Sequence, residues 1–102
     1  MSIIVSYHDC PKAEGKLEIF PESRHGRIAS ITIIGDPPGL RYLARVLDYI
    51  ADFDQEQRGE PSGARAHLHL HPEGQLGAHS CETEICRADA SHTGGLPAFM
   101  KD

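Results

Sequence analysis

One segment of this chain commits to a helix and the rest offers only short strands, so any fold must be built around a single helix. At Gly35-Asp36-Pro37-Pro38-Gly39-Leu40, Gly35 ends a β-branched run and Asp36 can accept from the free N–H groups of a first turn. Pro37 suits the first helical position, because its missing N–H has no intrahelical partner to lose. Beyond it, Leu40, Leu43, Ala44, Leu47, Ile50 and Ala51 follow the i, i+3, i+4, i+7 stripe, while Arg41, Arg45, Asp48 and Asp52 fall outside it. The spacing predicts one amphipathic helix of about four to five turns with that stripe facing the core.

The remaining regular pattern has period two. Ile3, Val5 and Tyr7 alternate with Ser2, Ile4 and Ser6, Pro11 to Gly15 breaks the alternation, and Lys16 to Phe20 resumes it. Pro21 to Gly26 reads as a turn and Arg27 to Ile34 as a third strand. After the helix, the polar segment Asp54 to Ala64 leads to a strand at Arg65 to His71. The turn-rich Pro72 to Ser80 leads to a last strand at Cys81 to Arg87. The expected fold is α+β: a two-layer sandwich with a mainly antiparallel five-stranded sheet and one helix on one face, in the order strand-strand-strand-helix-strand-strand. Residues 1–89 form the single domain and 90–102 a flexible C-terminal tail. Alternation assigns Ile3, Val5, Leu17, Ile19, Ala29, Ile31, Ile33, Leu68, Leu70, Thr83 and Ile85 to the helix side. One helix leaves the other face open, carrying Ile4, Phe20, Ile28, Ile34, His67, His69, His71, Glu82, Glu84 and Cys86. Apolar residues scattered among ionisable ones on an uncovered sheet resemble an interaction surface.

Composition removes several function classes. A chain of 102 residues supports one core, and a net charge of -5 lacks the dense basic footprint of a nucleic-acid binder. No apolar run approaches the roughly 18 residues of a membrane span, and Met1 to Asp9 has neither the basic start nor the apolar run of a secretory signal. Cys10, Cys81 and Cys86 are an odd number without C-x-x-C spacing, which fits reduced thiols. These features point to a cytoplasmic protein without membrane or nucleic-acid partners. No nucleophile elbow, phosphate loop or H-E-x-x-H helix is present, so no catalytic residue is assigned.

Histidine is the outlier: seven in all, three of them in His67-Leu68-His69-Leu70-His71. Residues two apart on a strand lie about 6.6 to 6.8 Å apart on one face, so neighbouring histidines can converge on one ion, whereas His67 and His71, about 13 Å apart, cannot without a sharp bend. If the last two strands pair antiparallel, Glu82 and Glu84 come beside the histidines. A site of His67, His69, Glu82 and Glu84 would suit zinc first, then nickel or iron. The same residues pair well across strands with no metal at all. The pairs His8 with Cys10 and His79 with Cys81 offer a weaker mixed nitrogen and sulfur set, and His25 and His92 read as surface residues.

The run Ile31-Thr32-Ile33-Ile34-Gly35-Asp36-Pro37-Pro38-Gly39-Leu40-Arg41-Tyr42-Leu43-Ala44, followed by His67-Leu68-His69-Leu70 and by Ser80-Cys81-Glu82-Thr83-Glu84-Ile85, resembles the immunity protein 32 family of bacterial polymorphic-toxin immunity proteins. The resemblance covers roughly residues 28 to 88, and His71 adds a third histidine where the family pattern has two. It implies a non-enzymatic cytoplasmic inhibitor that binds a cognate toxin, with no cofactor. On this reading His67, His69, His71, Glu82, Glu84 and Phe20 form the partner surface. An acidic domain with an open face can cover a basic cleft and be steered to it. The alternatives are a zinc- or nickel-binding protein, possibly a small metal-dependent hydrolase, and a homodimer joined through the open face with no chemistry.

Histidine ordinarily titrates near pH 6.5, so seven histidines would add roughly six positive charges by about pH 5.5 and cancel the net charge of -5. Partner binding or self-association should therefore shift between about pH 7.5 and 5.5 when followed by sedimentation or light scattering. A flat profile would make the histidines bystanders.

Overall fold

The computed structural model describes residues 9–101, so the expected first strand at Ser2 to Tyr7 lies outside the described residues. Strands β1 (Leu17–Arg24) and β2 (Arg27–Gly35) form an antiparallel hairpin. His25 and Gly26 join them with φ values of 53° and 76°, the left-handed pair that a two-residue hairpin turn requires. β1 runs four residues past its expected end at Phe20, straight through Pro21. Leu17 and Ile19 turn their backbone groups away from β2: Gly77 N–H donates to the Leu17 carbonyl at 2.9 Å, and Cys81 N–H to the Ile19 carbonyl at 2.9 Å. By alternation Pro21 also faces away from β2, where the ladder needs no donor.

Helix α1 (Pro37–Asp52) starts where the sequence places it. Asp36 Oδ1 accepts from Gly39 N–H at 2.8 Å and also from Lys16 N–H at 2.9 Å, tying the helix start to the residue before β1. These two N–H groups hold the Asp36 carboxyl below its ordinary pKa. A Cβ at Gly39 would overlap the Lys16 carbonyl, so the first turn rests directly on the chain entering β1. That contact fixes the rotation of the helix. The residues three, seven and eleven places on, Tyr42, Val46 and Ile50, are the ones buried, whereas Leu40 and Leu47 of the expected stripe remain exposed, Leu47 at 47%.

Strands β3 (His67–Leu70) and β4 (Thr83–Cys86) pair antiparallel. The α+β class and the strand pairing direction hold, but the expected five-stranded sheet is corrected to two antiparallel sheets of two strands each among the described residues. The physical reason lies in the connection between β3 and β4. It crosses the outer edge of β1 at Gly77 to Cys81 and bonds there, but it turns as it does so: Ser80 N–H closes back on the Gly77 carbonyl, and Ser80 Oγ rather than a backbone carbonyl accepts from Ile19 N–H. A ladder cannot propagate through such a segment.

The core gathers Leu17 and Ile19 from β1, Tyr42, Val46 and Ile50 from α1, and Leu68 and Leu70 from β3, with Phe53, Ala66 and Leu76 from the connections. Ile85 packs against it. Ala29, Ile31 and Ile33, expected on the helix side, are exposed, Ile31 at 58%, because the helix covers β1 and β3 and leaves β2 outside. Buried Gln55 is satisfied at both ends, accepting from Ala66 N–H and donating to the Asp89 carbonyl. The segment expected to loosen from Ala90 is instead packed at its start: Ala90 and Ser91 are buried, Ser91 exchanges backbone bonds with Gly63 and Ala64, and Arg65 donates to the Gly95 carbonyl. Further on, a single 3-10 turn at Ala98–Met100 leaves Phe99 86% exposed.

Ile50→Ala should cost about 2 to 5 kcal/mol in urea unfolding. Leu47→Ala, in the stripe that sequence spacing would bury, should change stability by no more than about 0.5 kcal/mol. The reverse order would refute the observed helix rotation.

Candidate functional site

β3 sorts its side chains by period two: Leu68 and Leu70 enter the core, and His67 and His69 stand on the opposite, exposed face. The register sets His69 across from Glu84 and His67 across from Cys86. Neighbouring rings approach edge-on for His67 and His69, with centroids 5.3 Å apart, and stacked for His69 and His71, at 6.1 Å. Glu82 Oε1 lies 3.0 Å from His69 Nδ1 and 3.8 Å from His71 Nδ1. Among the described residues, His67, His69 and Glu84 bring one nitrogen or oxygen each within 4.8 Å of one another. Glu82 stands beside this trio, hydrogen-bonded to His69, and His71 lies past the end of the strand with its N–H donating to Gln75. All five of these side chains are exposed.

Phe20 is on the other hairpin, on the face of β1 away from the core, and meets His79 edge-on at 4.6 Å. Glu18 beside it accepts from His79 N–H. Of the two H-x-C pairs, His8 lies outside the described residues, and His79 and Cys81 are both exposed. The three cysteines are free thiols, with Cys10 half-buried and its pKa raised by burial and by the Asp9 charge. His25 makes the hairpin turn. His92 does more than sit on the surface: its N–H donates to Glu56, and its Nε2 lies 3.1 Å from the Glu60 carbonyl. No described helix is long and apolar enough to cross a membrane.

Residues 30–88, more than half of the chain, match the family model of immunity protein 32. The chain belongs to the immunity protein 32 family. No curated protein and no solved structure matches it. The span that defines membership of the immunity protein 32 family runs from the middle of β2 through α1 to the end of β4. It contains the Asp36 cap, Gly39 and the exposed histidine and glutamate face, and it leaves out β1.

A second polar cluster has no signature in the sequence, because Asp9 lies 40 and 49 residues from its partners Tyr49 and Arg58. Tyr49 Oη donates to Asp9 Oδ1 at 2.8 Å, and Arg58 pairs with the other Asp9 oxygen while lying over the Phe53 ring, 5.2 Å from its centroid. The Tyr49 hydrogen bond foremost, with Arg58 beside it, holds the Asp9 carboxyl below its usual range. Burial, and then Asp9 itself, push the Tyr49 phenol up. Arg87 is equally illegible in the sequence: it clasps Asp89 with two bonds and donates to the Ile50 and Phe53 carbonyls, supplying the cation at the end of a helix whose last turn has none.

A carboxyl whose pKa is depressed on folding lends stability that is present above the unfolded value, about 3.9, and is lost as pH falls through the lower folded value. Tyr49→Phe should raise the Asp9 pKa in an NMR titration, and its stability deficit against the parent should shrink as pH falls below about 4. An unmoved Asp9 titration would dismiss the bond.

Proposed function

We propose that this chain is the inhibitor of a bacterial toxin and that it caps the toxin with the exposed face of β3 and β4. Membership of the immunity protein 32 family carries the reading. The geometry supports it with a surface: His67, His69 and Glu84 on the two strands at the end of the family span, with His71 and Glu82 just beyond the strand ends, are all exposed. Phe20 of the neighbouring hairpin, partly buried against His79, is offered as an aromatic anchor beside it.

The chemistry suits a basic partner. Glu82 and Glu84 offer acceptors to Arg or Lys, and imidazole rings can donate, accept or stack. The net charge of -5 accelerates encounter with a cationic cleft, while the short-range pairs determine how long the complex lasts. Inhibition by coverage needs no bond to be made or broken, in keeping with a non-enzymatic role.

The test is the quadruple variant His67→Ala, His69→Ala, Glu82→Ala, Glu84→Ala, with its fold verified by circular dichroism. Binding to the cognate toxin should weaken at least about a hundredfold, roughly 2.7 kcal/mol, and association should slow with rising salt in the parent more than in the variant. A complex unaffected by all four changes would remove this face from the interface.

A further inference from the structure

We infer that the outer face of the β3–β4 ladder is a zinc(II) site, with His67, His69 and Glu84 as ligands and with Glu82 and the Arg65 carbonyl as the groups that orient the two imidazoles. Proximity is the first observation: the three ligand-bearing side chains already place one donor atom each within 4.8 Å of one another. In a tetrahedral site with bonds of about 2.0 to 2.1 Å, ligand atoms stand about 3.4 Å apart. Closing the difference is left to the exposed side chains, since the strand register already sets His69 opposite Glu84.

The second observation is independent of proximity and concerns which nitrogen each ring offers. His67 Nδ1 lies 3.1 Å from the Arg65 carbonyl and His69 Nδ1 lies 3.0 Å from a Glu82 oxygen. A carbonyl and a carboxylate can only accept, so in both neutral rings the proton sits on Nδ1 and the lone pair on Nε2. Metal-bound histidines are held in this way, with one ring nitrogen on the ion and the other donating to a carboxylate or a backbone carbonyl. The Arg65 support is itself anchored, since its guanidinium donates to the Ala88 and Gly95 carbonyls. Glu82, a ligand candidate by sequence, thus becomes the orienting group of His69.

The neighbours are excluded by their own bonds and positions. Cys86 stands across from His67, but its thiol is turned to the Arg87 carbonyl and lies outside the trio. His71 lies beyond the strand end and outside the trio. Two imidazoles and one carboxylate suit zinc, whereas magnesium and calcium take oxygen ligands. Three protein ligands leave the fourth tetrahedral position facing solvent, at the centre of the face proposed to meet the toxin. The metal is tested on the isolated chain, so failure of this inference and failure of the inhibitor reading are distinguishable.

The experiment is calorimetric titration of the full chain, purified without a histidine tag and stripped with chelator, with zinc chloride at neutral pH. One equivalent should bind. His67→Ala and His69→Ala should each weaken binding at least about a hundredfold, and Glu84→Gln should weaken it as well. Glu82→Gln should reduce affinity about 10- to 100-fold with the stoichiometry kept. His71→Ala and Cys86→Ser should leave it unchanged. In the parent protein, 15N imidazole spectra should show zinc moving Nε2 of His67 and His69 and sparing His71, a readout that no folding defect can mimic. Absence of binding, full affinity in His69→Ala, or loss of binding in Cys86→Ser would overturn the assignment.

Discussion

The carboxylate of Asp36 does two jobs with one oxygen. It caps α1 through Gly39 N–H and draws in Lys16 N–H from the approach to β1, so that a local helix signal becomes a tertiary joint. Everything that positions the site depends on this joint. With Gly39 pressed on the Lys16 carbonyl, the helix can lie only with Tyr42, Val46 and Ile50 downward. Those side chains cover Leu17, Ile19, Leu68 and Leu70, and the alternation of β3 then sends His67 and His69 outward.

What could be read from the sequence is what local rules determine. The start of α1 at Asp36-Pro37, the existence of β1 to β4 and the outward histidines all follow from capping, turn chemistry and period two. The rotation of α1 does not. The helix carries two overlapping apolar stripes, and the choice between them rests on a contact between Gly39 and a residue twenty-three places earlier. The break between the two sheets also escapes a local reading, because it needs the loop at Gly77 to Cys81 to find the edge of β1. At the site, residue types and face were legible, but the different stations of Glu82 and Glu84 depend on the register of β3 against β4 and on side-chain direction.

The long-range polar bonds share a pattern. Gln55 and Arg65 reach across the chain to backbone carbonyls on the segment that follows β4, and Arg87, which belongs to that segment, reaches back to carbonyls at the end of α1. A small domain with few core residues has limited hydrophobic stabilisation. Here, satisfied polar groups hold the C-terminal stretch against the body and keep the strand pair under the histidines from fraying. The proposed orienting carbonyl of Arg65 lies inside that same network.

β2 gives the molecule a different kind of vulnerability. From Ile28 to Gly35 the strand has no ionisable residue and no proline, and by the alternation that pairs Ser30, Thr32 and Ile34 with β1, Ile31 and Ile33 direct their backbone groups to the other edge. Charges and prolines are the usual guards of such an edge. Among the described residues nothing covers it. Unfolding is first order in protein, whereas pairing of one such edge with another is second order. Any pairing through this edge is therefore sensitive to how concentrated the chain is, and dilution opposes it in a way that a tighter core would not.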